Sequence, residues 1–322
     1  MYQNFFRHIL TMSPVANDGD NNDQCNRPEE GEQAMKWRTD KTSTRVEDRR
    51  GTSSRIPGGA AGGIGGIGLI IILVAAVLLG VDPGQFIQGT EVSPESYGQQ
   101  PDYTQADQEV FNSSARVFTD TEQTWSIIFE DQLGRTYNPP NLVVFEDYVS
   151  TGCGQATSQT GPFYCSADQR VYIDLDFFKE LERQFKAPGD FAQAYVISHE
   201  VGHHVQNLLG TLQYVNRQQA RLSETDANAL SVALELQADC YAGVWAYQAQ
   251  YGDLILERGD LEEALNAASA IGDDRIQMQS MGYVVPDTFT HGTSAERVEA
   301  FRKGMDAGMV TDCNCPELPT VG

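Results

Sequence analysis

The stretch "AYVISHEVGHHVQNLL", residues 194–209, sets three histidines and a glutamate into an otherwise apolar helical pattern. Burying ionisable groups without partners costs several kcal/mol, so these side chains must answer to one another or to a ligand. His199 and His203 are four residues apart and therefore lie about 40° from each other on one helix face, where they can grip one ion. With Glu200 between them they complete H-E-x-x-H, the pattern in which two imidazoles bind zinc and the glutamate handles protons. Five residues are a short pattern, and the reading requires a third ligand.

One continuation is excluded at once. An x-x-G-x-x-H extension would need glycine and histidine where the chain has Gln206 and Leu209, so this is not a metzincin pattern. Downstream, "ELQADCYAGVW" places Glu235 and Asp239 at i and i+4 on a second helix. If the two helices pack together, His199, His203 and Glu235 supply three ligands and leave the fourth zinc position to water, as in catalytic sites. Asp239 is then expected to accept a hydrogen bond from the far nitrogen of a ligand histidine. His204 points about 100° away from His203 and reads as a supporting residue; Cys240 fails as a ligand on the same geometry. His291, in "FTHGTSAERVEAF", is the remaining histidine after residue 57. An N-cap at Ser294 would hold its turn rigidly, its N–H could stabilise an oxyanion opposite the zinc, and Arg297 could orient it or share the charge.

Charge and hydropathy divide the chain. Residues 1–57 hold nine basic and nine acidic side chains, so of the 22 basic and 45 acidic residues in all, 13 and 36 follow residue 57. Such a surface repels nucleic acid and anionic lipid. Between Ile56 and Val81 there is no charge, and the 18-residue core Ile64–Val81 approaches the ~20 residues that span a bilayer. This run reads as one transmembrane helix, taken as residues 58–81. Seven basic residues from Lys36 to Arg55 precede it and none lies in the linker of residues 82–104, which predicts a cytoplasmic N-terminus and an extracytoplasmic domain over residues 105–322. Residues 1–57 read as a largely disordered cytoplasmic segment, the first 34 either as a polar tail or as lying upstream of a true start at Met35. In the oxidising compartment outside, Cys153 and Cys165 flank an 11-residue loop and are the expected disulfide; Cys240 is left to pair with Cys313 or Cys315, and Cys25 stays reduced inside.

Within the outer domain, apolar spacing predicts a helix from about Gln105 to Gly134. "NLVVFEDYV" and "QRVYIDLDFF" read as strands. The H-E-x-x-H helix is predicted to start at an Asp190 N-cap and stop at Gly210. Another runs from Ser223 to Gly252 with Asp226 in a capping box, a third starts near Asp260 with Glu263 in the box position, and the last covers about Ser294 to Ala307. The order fits one α+β domain, mostly helical with a small sheet.

HEVGHHVQ with the downstream ELQADCYAGVW, "GPFYC" and "VYIDLDFF" before them, "PDTFTHGTSAERVEAF" after them, and the "MKWR…VEDRRG" start together resemble the bacterial putative neutral zinc metallopeptidase family, from about Met35 to the C-terminus. The family is similar in its site to gluzincins, whose H-E-x-x-H and E-x-x-x-D elements match His199, Glu200, His203, Glu235 and Asp239. The resemblance implies a zincin-like fold, one zinc ion per chain and hydrolysis of protein or peptide substrates by a membrane-anchored bacterial enzyme. It also suggests that the strand around Val171–Asp176 pairs with extended substrate by β-augmentation. The rival reading is a membrane-tethered zinc-binding chaperone or interaction module without turnover.

Overall fold

The computed structural model describes residues 35–38, 40–51, 103–257 and 259–321, which belong to one compact unit. Its scaffold begins with α1 (Gln105–Leu133). Thr104 opens this helix by a reciprocal cap with Asp107, and Gly134, at φ 61°, closes it as the sequence predicts. Val117, Phe118, Trp125, Ile128 and Phe129 form its buried face.

Among the described residues, eight strands follow the order β1 (Lys36–Trp37), β2 (Val46–Asp48), β3 (Asn141–Phe145), β4 (Tyr148–Thr151), β5 (Gly154–Thr157), β6 (Phe163–Cys165), β7 (Arg170–Asp174) and β8 (Leu254–Ile255). The main sheet has the order β2-β3-β7-β6, with β2, β3 and β7 parallel and β6 antiparallel to β7. The hairpin β4-β5 and the pair β1-β8 are separate. The two predicted strands are shorter than expected. "NLVVFEDYV" breaks into β3 and β4 where Asp147 adopts φ 60°, and "QRVYIDLDFF" leaves the sheet after Asp174, its DFF opening α2 (Asp176–Arg183). β7 is paired along its whole length with β3, but with β6 only from Arg170 to Tyr172. The expectation that Val171–Asp176 receives a substrate strand is narrowed to the short stretch after Tyr172, because β6 occupies the part before it and a helix opens at Asp176; the outer strands of this sheet are β2 and β6.

The remaining helices are α3 (Asp190–Leu209), α4 (Thr211–Gln219), α5 (Glu224–Ala249), α6 (Asp260–Ala270), α7 (Asp273–Met281) and α8 (Ser294–Ala307). α3, α5 and α8 build the centre of the core. Gly202 on α3 lies so close to α5 that a Cβ there would stand 3.0 Å from the Ala238 carbonyl oxygen. The crossing of α5 and α8 is closer still. A Cβ at Gly243 would meet the Phe301 carbonyl at 2.0 Å, and one at Gly304 the Cys240 carbonyl at 1.9 Å. Bare backbone on these faces is what lets three helices meet at one point.

Several caps differ from expectation. Asp190 is the first residue of α3 rather than its N-cap, which is Gly189; the Phe191 N–H is received by Glu263 of α6 at 3.1 Å. Glu263 thus caps α3 instead of closing a box on its own helix. Ser223 caps α5 as predicted, with the Asp226 N–H donating to its hydroxyl at 3.2 Å, although the helix ends at Ala249, short of Gly252. At α8 the N-cap is Thr293, boxed by Glu296, and Ser294 turns its hydroxyl to the Ser269 carbonyl at 2.7 Å.

The largest difference concerns the N-terminal segment. Residues 35–38 and 40–51, expected within a disordered cytoplasmic stretch, are folded into the domain. Val46, Glu47 and Asp48 pair with Leu142, Val143 and Val144, and Lys36 and Trp37 pair with Ile255 and Leu254. Met35 is buried in the main core. Segments that share a β-ladder lie on one side of any membrane, so strands β1 and β2 and the domain cannot be split across a bilayer as the charge pattern suggested. The apolar run 58–81, most of the linker and Cys25 lie outside the described residues. No helix among the described residues is long and apolar enough to cross a membrane. Disulfides join Cys153 to Cys165 and Cys240 to Cys313, and Cys315 is a half-buried free thiol.

Candidate metal centre

His199 and His203 project from α3 toward α5, where Glu235 stands between them. The Nε2 atoms of the two histidines are 3.2 and 3.4 Å from the two carboxylate oxygens of Glu235. All three ligand atoms lie within 4.8 Å of one another, the one such group of three among the described residues. A tetrahedral zinc with bonds of ~2.0–2.1 Å separates its ligand atoms by roughly 3.4 Å, and the two histidine–carboxylate separations match that distance.

The nitrogens that face away from this centre are held. His199 Nδ1 donates to Asp239 Oδ1 at 2.8 Å, and His203 Nδ1 donates to Gln206 Oε1 at 2.9 Å. Asp239 is fully buried and is itself gripped by Arg297 through Nε to Oδ2 at 2.8 Å and Nη2 to Oδ1 at 3.0 Å. The Tyr195 hydroxyl, one helical turn before His199, also donates to Asp239 Oδ1. A chain of contacts therefore runs from α8 through α5 to the metal face of α3, made possible by the glycine crossing.

The electrostatics favour a cation. Burial alone would lift Asp239, but Arg297 and His199 outweigh it and draw its carboxyl down to about 2. Glu235 is likewise held well below the usual carboxylate range, because the neighbouring imidazoles overcome its desolvation. Desolvation would lower His199, yet the charge and hydrogen bond of Asp239, with Glu235, push it up to about 10, and His203 is raised for the same kind of reason. Both shifts have one cause, carboxylates converging on the two rings, and the same charge would attract a metal cation. Glu200 is also buried but stands outside the converging group; burial, the dominant cause, raises its pKa above the usual value.

His291 sits in the turn before α8, whose next residue, Gly292, packs toward Val232 and Leu236 of α5, beside Glu235. Asp273 organises this turn. Its Oδ2 accepts the backbone N–H groups of Thr290, His291 and Gly292 at 2.7, 2.6 and 3.2 Å, and its Oδ1 lies 3.2 Å from His291 Nδ1. With Nδ1 engaged, Nε2 is the nitrogen left to meet a ligand. Desolvation lowers the imidazole's pKa, but the Asp273 hydrogen bond and the nearby Glu235 charge raise it overall.

Of the residues singled out from sequence, His199, His203, Glu235 and Asp239 come together, with Glu200 and His291 beside them. Arg297 does not touch His291; its guanidinium belongs to Asp239, a correction that follows from its depth, since a buried Arg takes the nearest buried carboxylate. His204 serves the scaffold: Nε2 donates to the Asn138 carbonyl at 2.7 Å and Nδ1 accepts from Tyr164 at 2.9 Å, while burial draws its pKa down to about 4. Sequence reading missed Asp273, Gln206 and Tyr195. Gln206 and Tyr195 stand at i+3 from His203 and i−4 from His199, a signal that helical spacing could have supplied; Asp273 acts across a turn and gave none.

Comparison with known proteins agrees with this geometry. The family model described as "Putative neutral zinc metallopeptidase" matches residues 35–315. Uncharacterized protein YpfJ of Escherichia coli K12 is 46% identical over 285 residues, covering 87% of this chain and 98% of that protein. Uncharacterized proteins Mb2605 of Mycobacterium bovis and Rv2575 of Mycobacterium tuberculosis H37Rv are each 39% identical over 258 residues, 74% of this chain and 84% of theirs. No solved structure matches. A match that begins at Met35 and spans the strands, the metal-ligand helices and the final turn includes every element of the site, and the chain belongs to the putative neutral zinc metallopeptidase family.

Proposed function

We propose that this protein is a zinc endopeptidase that binds one zinc ion per chain through His199, His203 and Glu235 and hydrolyses peptide bonds with Glu200 as general base. The observation that carries this reading is the convergence of two imidazole Nε2 atoms and one carboxylate, with a second buried carboxylate one residue after the first ligand. Three protein ligands leave a position open, whereas structural zinc sites close with four, mostly cysteine. Zinc held there supplies Lewis acidity, polarising a carbonyl and making water acidic near neutral pH. Glu200 takes the proton from the attacking water and passes it to the leaving amine, a task for which its raised pKa is suited. His291, fixed through Nδ1 by Asp273, presents Nε2–H to the oxyanion that develops on the substrate carbonyl. Asp239 and Arg297 hold His199 in place.

Membrane attachment through the uncharged run 58–81 is part of the proposal; since β2 before it and the site after it share one folded unit, the run would enter and leave on the same face rather than cross once. Glu200→Gln tests the chemistry. The variant should retain about one zinc per chain by elemental analysis and lose roughly 10³-fold or more in casein cleavage; turnover near that of the parent would remove Glu200 from the role of base.

A further inference from the structure

The two ligand histidines are held by different chemistry. His199 leans on the buried anion Asp239, whereas His203 leans on a neutral amide. We infer that Gln206 is the positioning residue for His203, fixing the tautomer that leaves Nε2 free for the metal, and that a relay ending at the Cys313 carbonyl fixes the direction of Gln206 in turn.

The direction follows from acceptors that cannot donate. The Cys313 carbonyl oxygen lies 3.3 Å from Gln237 Nε2, so that atom must be the NH₂ of Gln237 and its Oε1 must face the other way. Gln237 Oε1 then accepts from Gln206 Nε2 at 3.1 Å. The Leu234 carbonyl oxygen, at 2.7 Å, makes the same demand on Gln206 Nε2 independently. A flipped Gln206 amide would set its oxygen against both of these oxygens. Its Oε1 therefore faces His203, and the only hydrogen bond possible at 2.9 Å is Nδ1–H donating to it. Nε2 is left with its lone pair directed at the ligand group. Gln206 and Gln237 are buried, so water offers no alternative partner. The Cys240–Cys313 disulfide ties the end of this relay to α5, one residue from Asp239, and so the supports of both histidines meet at one covalent link.

This inference rests on the zinc reading above and is tested on the full chain with metal affinity as the readout. Zinc binding is measured by competition against a chromophoric chelator for the parent, Gln206→Leu and His203→Ala. Gln206→Leu removes the acceptor at similar size and should weaken zinc by about 10- to 100-fold. In proton NMR of the zinc-loaded parent, the His203 Nδ1–H and the His199 Nδ1–H should both be protected from exchange; in Gln206→Leu only the His199 signal should persist. Parent-like affinity in Gln206→Leu, or a His203 Nδ1–H signal that persists in it, would overturn the positioning role. Parent-like affinity in His203→Ala would instead overturn the metal site. Should Gln206→Leu fail to fold, Gln237→Leu leaves the acceptor but frees its direction; a few-fold loss is expected, and none overturns the relay.

Discussion

Helices α3 and α5 each carry their functional pair at i and i+4, so the chemistry of His199, His203, Glu235 and Asp239 is written in short windows. Strands β1 and β2 sit against the same core, yet Trp37 finds Leu254 and Val46 finds Leu142, far along the chain. Both regions are ordered by burial, but one announces itself locally and the other only through its partners. A helix fixes its own backbone hydrogen bonds and needs neighbours only for one face, while a strand of two or three residues has no stability until another strand supplies its ladder. Charge counting sees neither, which is why the basic residues around β1 and β2 suggested a cytoplasmic tail. Five of those residues have internal partners: Lys36 pairs with Glu257, Arg45 with Glu122, Arg49 with Glu47 and Arg50 with Asp48, and Arg38 donates to the carbonyls of Gly252 and Leu254.

The largest effect expected from this contrast is all-or-none. Thr42, in the segment between β1 and β2, and Arg302, on α8, are both exposed. Cysteines introduced at the two positions should react together with a membrane-impermeant thiol reagent, either both on intact cells or both only after lysis. If Cys at 302 labels on intact cells and Cys at 42 only after lysis, β1 and β2 do not share a compartment with the site and the comparison collapses.

In the helical region the corresponding break is Arg297→Met. The side chain fits the space left by the stem, but Asp239 keeps its charge and loses both guanidinium contacts in a fully buried position. Removing one partner of a buried pair costs about 3–5 kcal/mol. Denaturant unfolding of the metal-free protein should show that loss, and metal affinity should fall as His199 loses its fixed support. A change below about 1 kcal/mol would mean that His199 and Tyr195 alone satisfy Asp239.

Asp120 sharpens the same point by pH. It is buried on α1, accepts from Trp245 Nε1 at 2.8 Å and meets no cation, and desolvation pushes its carboxyl up to about 7. The folded state thus holds a proton that the unfolded chain, with an ordinary pKa of 3.8, has released. The contribution is complete below the unfolded pKa and is lost as pH rises toward 7, at up to about 1.4 kcal/mol per pH unit, with no further change above. Asp120→Asn retains the acceptor for Trp245 without the charge, so its stability should stay flatter between about pH 4 and 7 and exceed the parent's at pH 8. Parallel stability curves for the two proteins would show that Asp120 is ionised where it lies.

What could be read from sequence follows the same division. The H-E-x-x-H and E-x-x-x-D spacings placed the metal face, Ser223 placed the start of α5, and Gly134 the end of α1. The roles of Arg297, Glu263 and Asp273 were not legible, because each acts on a helix or turn other than its own. Nor was the approach of α5 to α8: Gly243 and Gly304 look like ordinary helix glycines until their backbones are seen to touch. β7 read correctly as a strand, but its partial cover by β6 over Arg170–Tyr172 is a property of the sheet and not of the residues.

The smallest effect tests the N-terminal region by its best-anchored side chain. Arg50 follows β2, is almost fully buried, and makes two parallel bonds to Asp48, Nε to Oδ1 at 2.9 Å and Nη2 to Oδ2 at 2.8 Å. Its guanidinium is sandwiched between the rings of Tyr103 and Phe111, 4.3 and 4.2 Å from their centroids. Unlike Arg297, it leaves no buried anion behind when removed, since the Asp48 side chain is 41% exposed and can be solvated. The loss is then that of a cation–π sandwich and some packing, about 1–2 kcal/mol for Arg50→Ala. Zinc affinity and casein cleavage should be unchanged, because no contact of Arg50 reaches α3 or α5. If Arg50→Ala costs nothing in stability, the β2 segment is not held as described; if it costs metal affinity, the two regions are coupled more tightly than their separate contact networks allow.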